Sequence, residues 1–279
     1  MRVYITGMGG QLGRALVGVL GAYEVGGSGR AEVDVAEGGA VRAAIQDFKP
    51  DVVINCAAYT NVDGCAKEPE KAYRVNGLGA QNVALACAEV GADLVHVSTN
   101  EVFGGTERGG YEEWMPLSPI NGYGRSKAAG EAAVRQAWRR SYIVRTAWLY
   151  APGGRNFIHA ILRRARETGV VRVVTDEIGN PTSVMDLAVA IGELMVTKQY
   201  GTYHLVNEGA CSRWAFANEI LRLAGLAEVV NEPILGSEFK RASTPPRFGG
   251  LKNVAGGAIG VRLRPWEEAL AAYMAEEGA

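Results

Sequence analysis

The sequence predicts an α/β fold, a doubly wound parallel sheet covered by helices, followed by a smaller C-terminal lobe. Short apolar runs alternate with longer segments of helical period through the first half, and a glycine-rich turn joins the first run to the first such segment. After Tyr150 the character changes, and Pro152, Pro181, Pro233, Pro245 and Pro246 separate shorter elements. A chain of 279 residues is long enough for one large domain or two modest ones around a substantial core.

In order, Val3–Thr6 reads as the first strand and Leu12–Leu20 as the helix after it. A second strand runs into Val25-Gly26-Gly27-Ser28-Gly29-Arg30, and another short one is expected just before Asp34-Val35. Between Gly39 and Lys49, Val41, Ile45 and Phe48 share one helical stripe, which Pro50 closes. The strands Val52–Asn55, Leu94–Ser98 and Ile143–Thr146 then alternate with helices Ala72–Val90 and Ser126–Trp138. On this count the strand ending at Asn55 is the fourth and the one ending near Ser98 the fifth. Farther on, Phe157–Ala165, Val184–Met195 and Phe216–Ala224 keep helical period, Val170–Val174 and Tyr203–Val206 read as strands, and Pro265-Trp266 opens a last helix ending near Glu277. Gly104–Gly110 and Phe248–Gly260 read as mobile loops.

Lys plus Arg 29 against Asp plus Glu 30 leaves a net charge of −1, so no basic surplus points to nucleic acid. Cys56, Cys65, Cys87 and Cys211 form no C-x-x-C pair, and His96, His159 and His204 lie far from them, which argues against a metal cluster or disulfide framework. No apolar run approaches a signal or membrane segment, so a reduced, cytoplasmic protein without a membrane partner is expected. His96 and His204 sit inside apolar strands and read as core residues.

The first turn, Thr6-Gly7-Met8-Gly9-Gly10-Gln11-Leu12-Gly13, has the position of a dinucleotide-binding loop. Gly7 permits a tight turn, Gly10 lets backbone approach a pyrophosphate, and Gly13 lets helix and sheet pack closely. The helix start at Gln11 and Leu12 supplies free N–H groups and partial positive charge. This makes the first 150 residues a Rossmann-type NAD(P)-binding domain, to which elements near 183–207 return, and leaves 151–279 mainly as a substrate-binding lobe. No acid stands in Val25–Arg30 to grip the ribose hydroxyls of NAD, whereas Ser28 and Arg30 can receive the 2′-phosphate of NADP(H). The alternative is that Arg30 is a solvated loop charge and NAD(H) serves. Asp34 and Val35 are placed to meet the adenine.

In Asn121-Gly122-Tyr123-Gly124-Arg125-Ser126-Lys127, Tyr123 and Lys127 stand four apart on one helix face. An ammonium one turn away brings a phenol toward its working range and can also reach a nicotinamide ribose. Such a pair is common on solvated helices; here it gains weight from Ser98-Thr99, whose hydroxyls end a parallel strand and point into the ligand crevice.

With these residues in view, the sequence resembles the extended short-chain dehydrogenase/reductases and, within them, the dTDP-4-dehydrorhamnose reductase family. The resemblance runs through Gly10–Arg14, Asp51–Asn76, Ser98–Gly105, Tyr123–Glu131, Arg145–Tyr150, Asn156-Phe157, Gly179–Thr182 and Arg264–Leu270. It implies reduction of the 4-keto group of a nucleotide-linked deoxysugar, giving dTDP-L-rhamnose. It further implies that Thr99 bonds the substrate carbonyl, Tyr123 gives the proton and Lys127 tunes Tyr123. Ala57, Ala58 and Tyr59 would border the cofactor, Trp148 would offer the sugar a flat face or else fill the core, and Asn156 with Asn180-Pro181-Thr182 would shape the nucleotide end. Some relatives assemble as dimers with Mg²⁺, so a homodimer is compatible, although no carboxylate cluster here indicates the metal.

Two departures from the family pattern concern the substrate half. Ser98-Thr99-Asn100-Glu101 stands where the family has serine-threonine-aspartate-tyrosine, so Asn100 can keep a hydrogen bond but not act as an acid. Ala242–Arg247 alters the usual arginine-proline pair, leaving Arg247 as the candidate ligand for the substrate pyrophosphate. The competing readings are a nucleotide-sugar epimerase, which retains NAD and returns the hydride, and a regulatory subunit resembling the beta subunit of methionine adenosyltransferase, which binds a catalytic partner.

Overall fold

The computed structural model describes residues 1–153 and 156–277. The first part comprises β1 (Arg2–Thr6), α1 (Gln11–Val19), β2 (Glu24–Ser28), α2 (Gly38–Phe48), β3 (Val52–Asn55), α3 (Val62–Lys67), α4 (Pro69–Tyr73), α5 (Gly79–Val90), β4 (Asp93–Thr99), α6 (Gly122–Ala137) and β5 (Ser141–Thr146). There follow β6 (Leu149–Tyr150), α7 (Phe157–Thr168), β7 (Val170–Val174), β8 (Ile178–Gly179), β9 (Thr182–Ser183), α8 (Val184–Leu194) and β10 (Gly201–His204). Last come β11 (Cys211–Ser212), α9 (Arg213–Leu223), β12 (Val230–Ile234), α10 (Ala255–Ala258) and α11 (Trp266–Glu277).

Six strands form one parallel sheet in the order β10-β5-β4-β3-β1-β2. Alternation along β1 divides the apolar residues between two helical layers. Val3 and Ile5 pack with Leu12 and Leu16 of α1 and Leu187 and Ile191 of α8. Tyr4 faces the other way, into a cluster with Ile45 of α2, Val83 and Cys87 of α5 and Val134 of α6. Because β1 has β2 on one side and β3 on the other, the connections leave it in opposite directions, and the crevice opens at the carboxyl ends of those strands. A second cluster, built from Ile158 and Leu162 of α7, Phe216 and Ile220 of α9, and Leu270 and Met274 of α11, lies beyond the sheet. Its β7 pairs with β12, and the two-residue strands β6 with β9 and β8 with β11 stitch the later segments together.

Four expectations change. No further strand forms between β2 and Asp34: the N–H groups of Glu32 and Val33 both bond the Gly29 carbonyl, so the segment is a turn, and the strands ending at Asn55 and Thr99 are the third and fourth. The helix expected from Ser126 begins at Gly122, because Asn121 accepts the Gly124 N–H at 2.8 Å and caps it. The helix expected from Ala72 begins at Pro69 and passes through a π-helical turn, Arg74–Leu78. There Asn76 is buried and joins Tyr59 N–H to the Ser126 hydroxyl. The two glycine-rich loops are tied down: Tyr111 OH accepts from Thr106 and Glu107, Asn180 accepts from Leu251, and Leu251 is buried.

Candidate active site

The strand ends open into joined cavities of about 340 and 590 Å³, which share Gly7, Gly10, Cys56 and Ala58. A side cavity of about 290 Å³ continues from the larger one past Asn100, Glu101, Trp148 and Arg213. Among the described residues no helix is long and apolar enough to cross a membrane, and no group of three or more His, Cys, Asp or Glu is placed to hold a metal.

The glycine turn forms the floor. Gly7 has φ +69°, and a Cβ there would lie 2.9 Å from the backbone of Ala57. A Cβ on Gly13 would lie 2.5 Å from the Met8 carbonyl, so its lack of a side chain serves packing of α1 against this loop rather than against the sheet. Gly10 is the N-cap of α1 and provides no side-chain cap, leaving the first-turn amides of Gln11, Leu12 and Gly13 directed to the cavity they line. These features fit a dinucleotide pyrophosphate, as a side chain at either glycine would not.

Arg30, Asp34, Val35, Ala57, Ala58 and Tyr59 line the smaller cavity. Asp34 accepts the Ala36 N–H at 3.0 Å, and Tyr59 donates to Glu68. Ser28 is buried off the cavity wall, its hydroxyl unpartnered among the described residues. An acid does reach this end: Glu32, two residues past Arg30, folds back to accept the Gly29 N–H.

At the other end, Thr99 closes β4, and Tyr123 and Lys127 rise from α6 into the larger cavity. Lys127 donates to the Val97 carbonyl at 2.6 Å; burial pulls its pKa down to about 8, opposed by the Glu131 carboxylate. Burial raises the Tyr123 phenol above its ordinary value, the Glu101 carboxylate adds to the rise, and the neighbouring Thr99 hydroxyl offsets part of it. The Lys127 ammonium is turned to Val97 O, and the charge that raises the phenol is that of Glu101. A protonated tyrosine is set as an acid.

Asn100 is buried, accepts from the Thr99 hydroxyl at 3.3 Å and donates to the Gly249 carbonyl at 3.0 Å. Trp148 lines the larger cavity with φ 45°, but its indole does not offer a bare face: the Arg213 guanidinium stands 3.6 Å above the ring centroid. Two residues expected here lie elsewhere. Asn156 caps α7 and bonds Ala151 and Tyr273, while Arg247 is exposed and paired with Asp176 at 3.4 Å. Asn180 is likewise spent on the Leu251, Gly209 and Asn207 backbone, well inside the fold. His96 bonds Asn55, His204 lies against Arg145, and burial keeps both imidazoles below their ordinary pKa and neutral.

Sequence reasoning missed Arg213, Glu177 and Arg241, which join Glu101 around the side cavity. Arg213 opens α9 and Glu177 precedes β8, so only the folded chain brings them to Asn100 and Glu101.

A family model described as the RmlD substrate binding domain matches residues 1–278. The chain is 39% identical over 277 residues to the spore coat polysaccharide biosynthesis protein SpsK of Bacillus subtilis strain 168, a match covering 99% of this chain and 97% of that protein. It is 40% identical over 278 residues to a dTDP-4-dehydrorhamnose reductase of Streptomyces griseus, covering 96% and 91%. The crystal structure of dTDP-4-dehydrorhamnose reductase from Bacillus anthracis strain Ames in complex with NADP matches with a TM-score of 0.95 at 39% identity, over 99% of each chain. With its parallel sheet, glycine turn and Thr99, Tyr123 and Lys127 around one crevice, the chain belongs to the dTDP-4-dehydrorhamnose reductase family of the extended short-chain dehydrogenase/reductases.

Proposed function

We propose that this protein reduces the 4-keto group of dTDP-4-dehydrorhamnose, or a close nucleotide-linked deoxysugar, with NADPH as the preferred reductant. The observation that carries the reading is the continuity of the glycine-floored cavity with the one that holds Thr99, Tyr123 and Lys127. When bound along that floor, the reduced nicotinamide supplies the hydride. Gly7, Gly10 and the amides of Gln11 to Gly13 hold the pyrophosphate, Arg30 meets the 2′-phosphate, and Asp34 and Val35 border the adenine.

The protein's own part in the chemistry is to bind the carbonyl and protonate it. The Thr99 hydroxyl orients the carbonyl oxygen, and Tyr123, kept protonated by burial beside Glu101, gives that oxygen its proton. Lys127, fixed on the Val97 carbonyl at the cavity wall, would supply positive charge to the reacting end and a donor to the nicotinamide ribose. In this reading the lobe within 151–279, apart from the elements that join the sheet, holds the nucleotide sugar, supported by Glu177, Arg213, Arg241 and Ser243 on the wall of the side cavity. A nicotinamide-dependent step in a chain whose four cysteines are all free suits a reducing cytoplasm.

The test is turnover of dTDP-4-dehydrorhamnose by purified protein, followed as loss of nicotinamide absorbance with NADPH and with NADH. Substrate-dependent oxidation with a higher kcat/KM for NADPH supports the reading. Oxidation of neither cofactor refutes it.

A further inference from the structure

We propose that Arg213 receives the diphosphate of the nucleotide sugar, held flat for that task against the Trp148 indole; the inference rests on the substrate class proposed above. Arg213 lies on the wall shared by the cavity that contains Thr99 and Tyr123 and the side cavity bounded by Asp63 and Ser243. A ligand that presents its carbonyl to Tyr123 and extends its nucleoside into the side cavity must pass it.

Among the described residues, the other cations near this path are committed. Lys127 donates to the Val97 carbonyl, Arg241 pairs with Glu177, and Arg247 pairs with Asp176. The Arg213 guanidinium has neither a carboxylate within 4.0 Å nor a hydrogen-bond partner among the described residues; its near neighbours are the rings of Trp148 at 3.6 Å and Phe157 at 5.0 Å. Stacking on an aromatic face fixes the guanidinium plane and leaves its edge N–H groups open, the geometry that forks onto phosphate oxygens. Burial lowers its pKa to about 10 against the opposing pull of Glu177 and Glu101, so the cation persists at neutral pH. The acids of the same cavity are each engaged: Glu101 accepts from Asn121, Glu177 from Arg241, and Asp63 from the Ser243 N–H and hydroxyl. Among the charged side chains lining this cavity, Arg213 is the one left with no hydrogen-bond or ion-pair partner among the described residues.

The experiment is calorimetric binding of dTDP and of thymidine to the NADP-loaded protein, in wild type, Arg213→Met and Arg213→Lys, with NADPH affinity as the control for folding. Losing a charge-assisted phosphate contact predicts at least a tenfold weaker dTDP affinity in Arg213→Met, about 1.4 kcal/mol, with thymidine and NADPH binding changed less than about twofold. The lysine keeps the charge but not the fork, so a smaller loss of roughly threefold is expected. In turnover, KM for the nucleotide sugar should rise more than kcat falls. Unchanged dTDP affinity in Arg213→Met overturns the inference, as does a wild type that binds no dTDP. If the methionine variant loses NADPH binding, Arg213→Lys decides, and unchanged dTDP affinity there overturns it as well. A wild type that binds dTDP through Arg213 but reduces no nucleotide sugar would sustain this inference and refute the reductase reading.

Discussion

Tyr123 and Lys127 stand one helical turn apart and line the same cavity, yet their environments differ because Lys127 is bound to the Val97 carbonyl and Tyr123 lies near Glu101. Replacing Tyr123 with Phe removes the proton donor and leaves the ring, so kcat should fall about a hundred- to ten-thousand-fold with NADPH affinity nearly unchanged in a fluorescence titration. Lys127 has a pKa lowered to about 8, so its charge is present below that pH and lost above it. The kcat/KM for NADPH, which reports ionisations of the free enzyme, should therefore decline as pH rises through about 8, and Lys127→Arg, whose charge persists, should shift that decline upward. The same lowering costs stability below about pH 8, where folding must bury the ammonium, and the cost is relieved as pH rises toward the ordinary lysine value. Asn100 shows where residue identity alone misleads. Read as keeping a hydrogen bond to the sugar, it spends its amide N–H on the Gly249 carbonyl, and an aspartate has no proton to give there. Asn100→Asp should lower stability by about 1–3 kcal/mol, seen as a reduced Tm at neutral pH. Arg213 was illegible for a different reason: a lone arginine at a helix start has no local signature, and its meaning comes from Trp148, far away in sequence.

Elements were legible where a pattern repeats. Val3, Tyr4 and Ile5 alternate between two layers, and the helical stripes of α1 and α2 follow from apolar spacing. What escaped was set by single hydrogen bonds: Asn121 starts α6 early enough to include Tyr123, and the Gly29 carbonyl makes a turn where a strand was expected. The joint between α6, β4 and β5 is also invisible in a linear reading. Glu131, fully buried, accepts from Ser98 and from two nitrogens of the buried Arg145, while Arg135 adds a bond at the surface. Burial opposes its ionisation, but Arg145 holds its carboxyl below the ordinary value. Its contribution is thus present above the ordinary glutamate pKa and lost as pH falls through the lowered native value. Glu131→Gln leaves a buried guanidinium without its counter-charge and should cost about 3–5 kcal/mol at pH 7, measured by denaturant unfolding. The deficit should shrink in acid, where the wild type loses the same interaction.

At the scale of the whole molecule, the parallel sheet brings the glycine turn after β1 and the hydroxyl at the end of β4 to one edge, and the later segments close the crevice from the far side. The cofactor half was readable because it is local in sequence. The substrate half was not, since Asn100, Trp148, Glu177 and Arg213 meet only through the fold. A reductase must move hydride from its cofactor to the sugar and keep it there. The direct test is incubation with dTDP-4-dehydrorhamnose and NADPH carrying deuterium at the transferable position of the nicotinamide, with mass and NMR analysis of the sugar. The proposed chemistry predicts one deuterium at C4 of the product for each NADPH oxidised. Recovery of unlabelled sugar with the nicotinamide unconsumed, or of an epimer formed on tightly retained NAD, would contradict it.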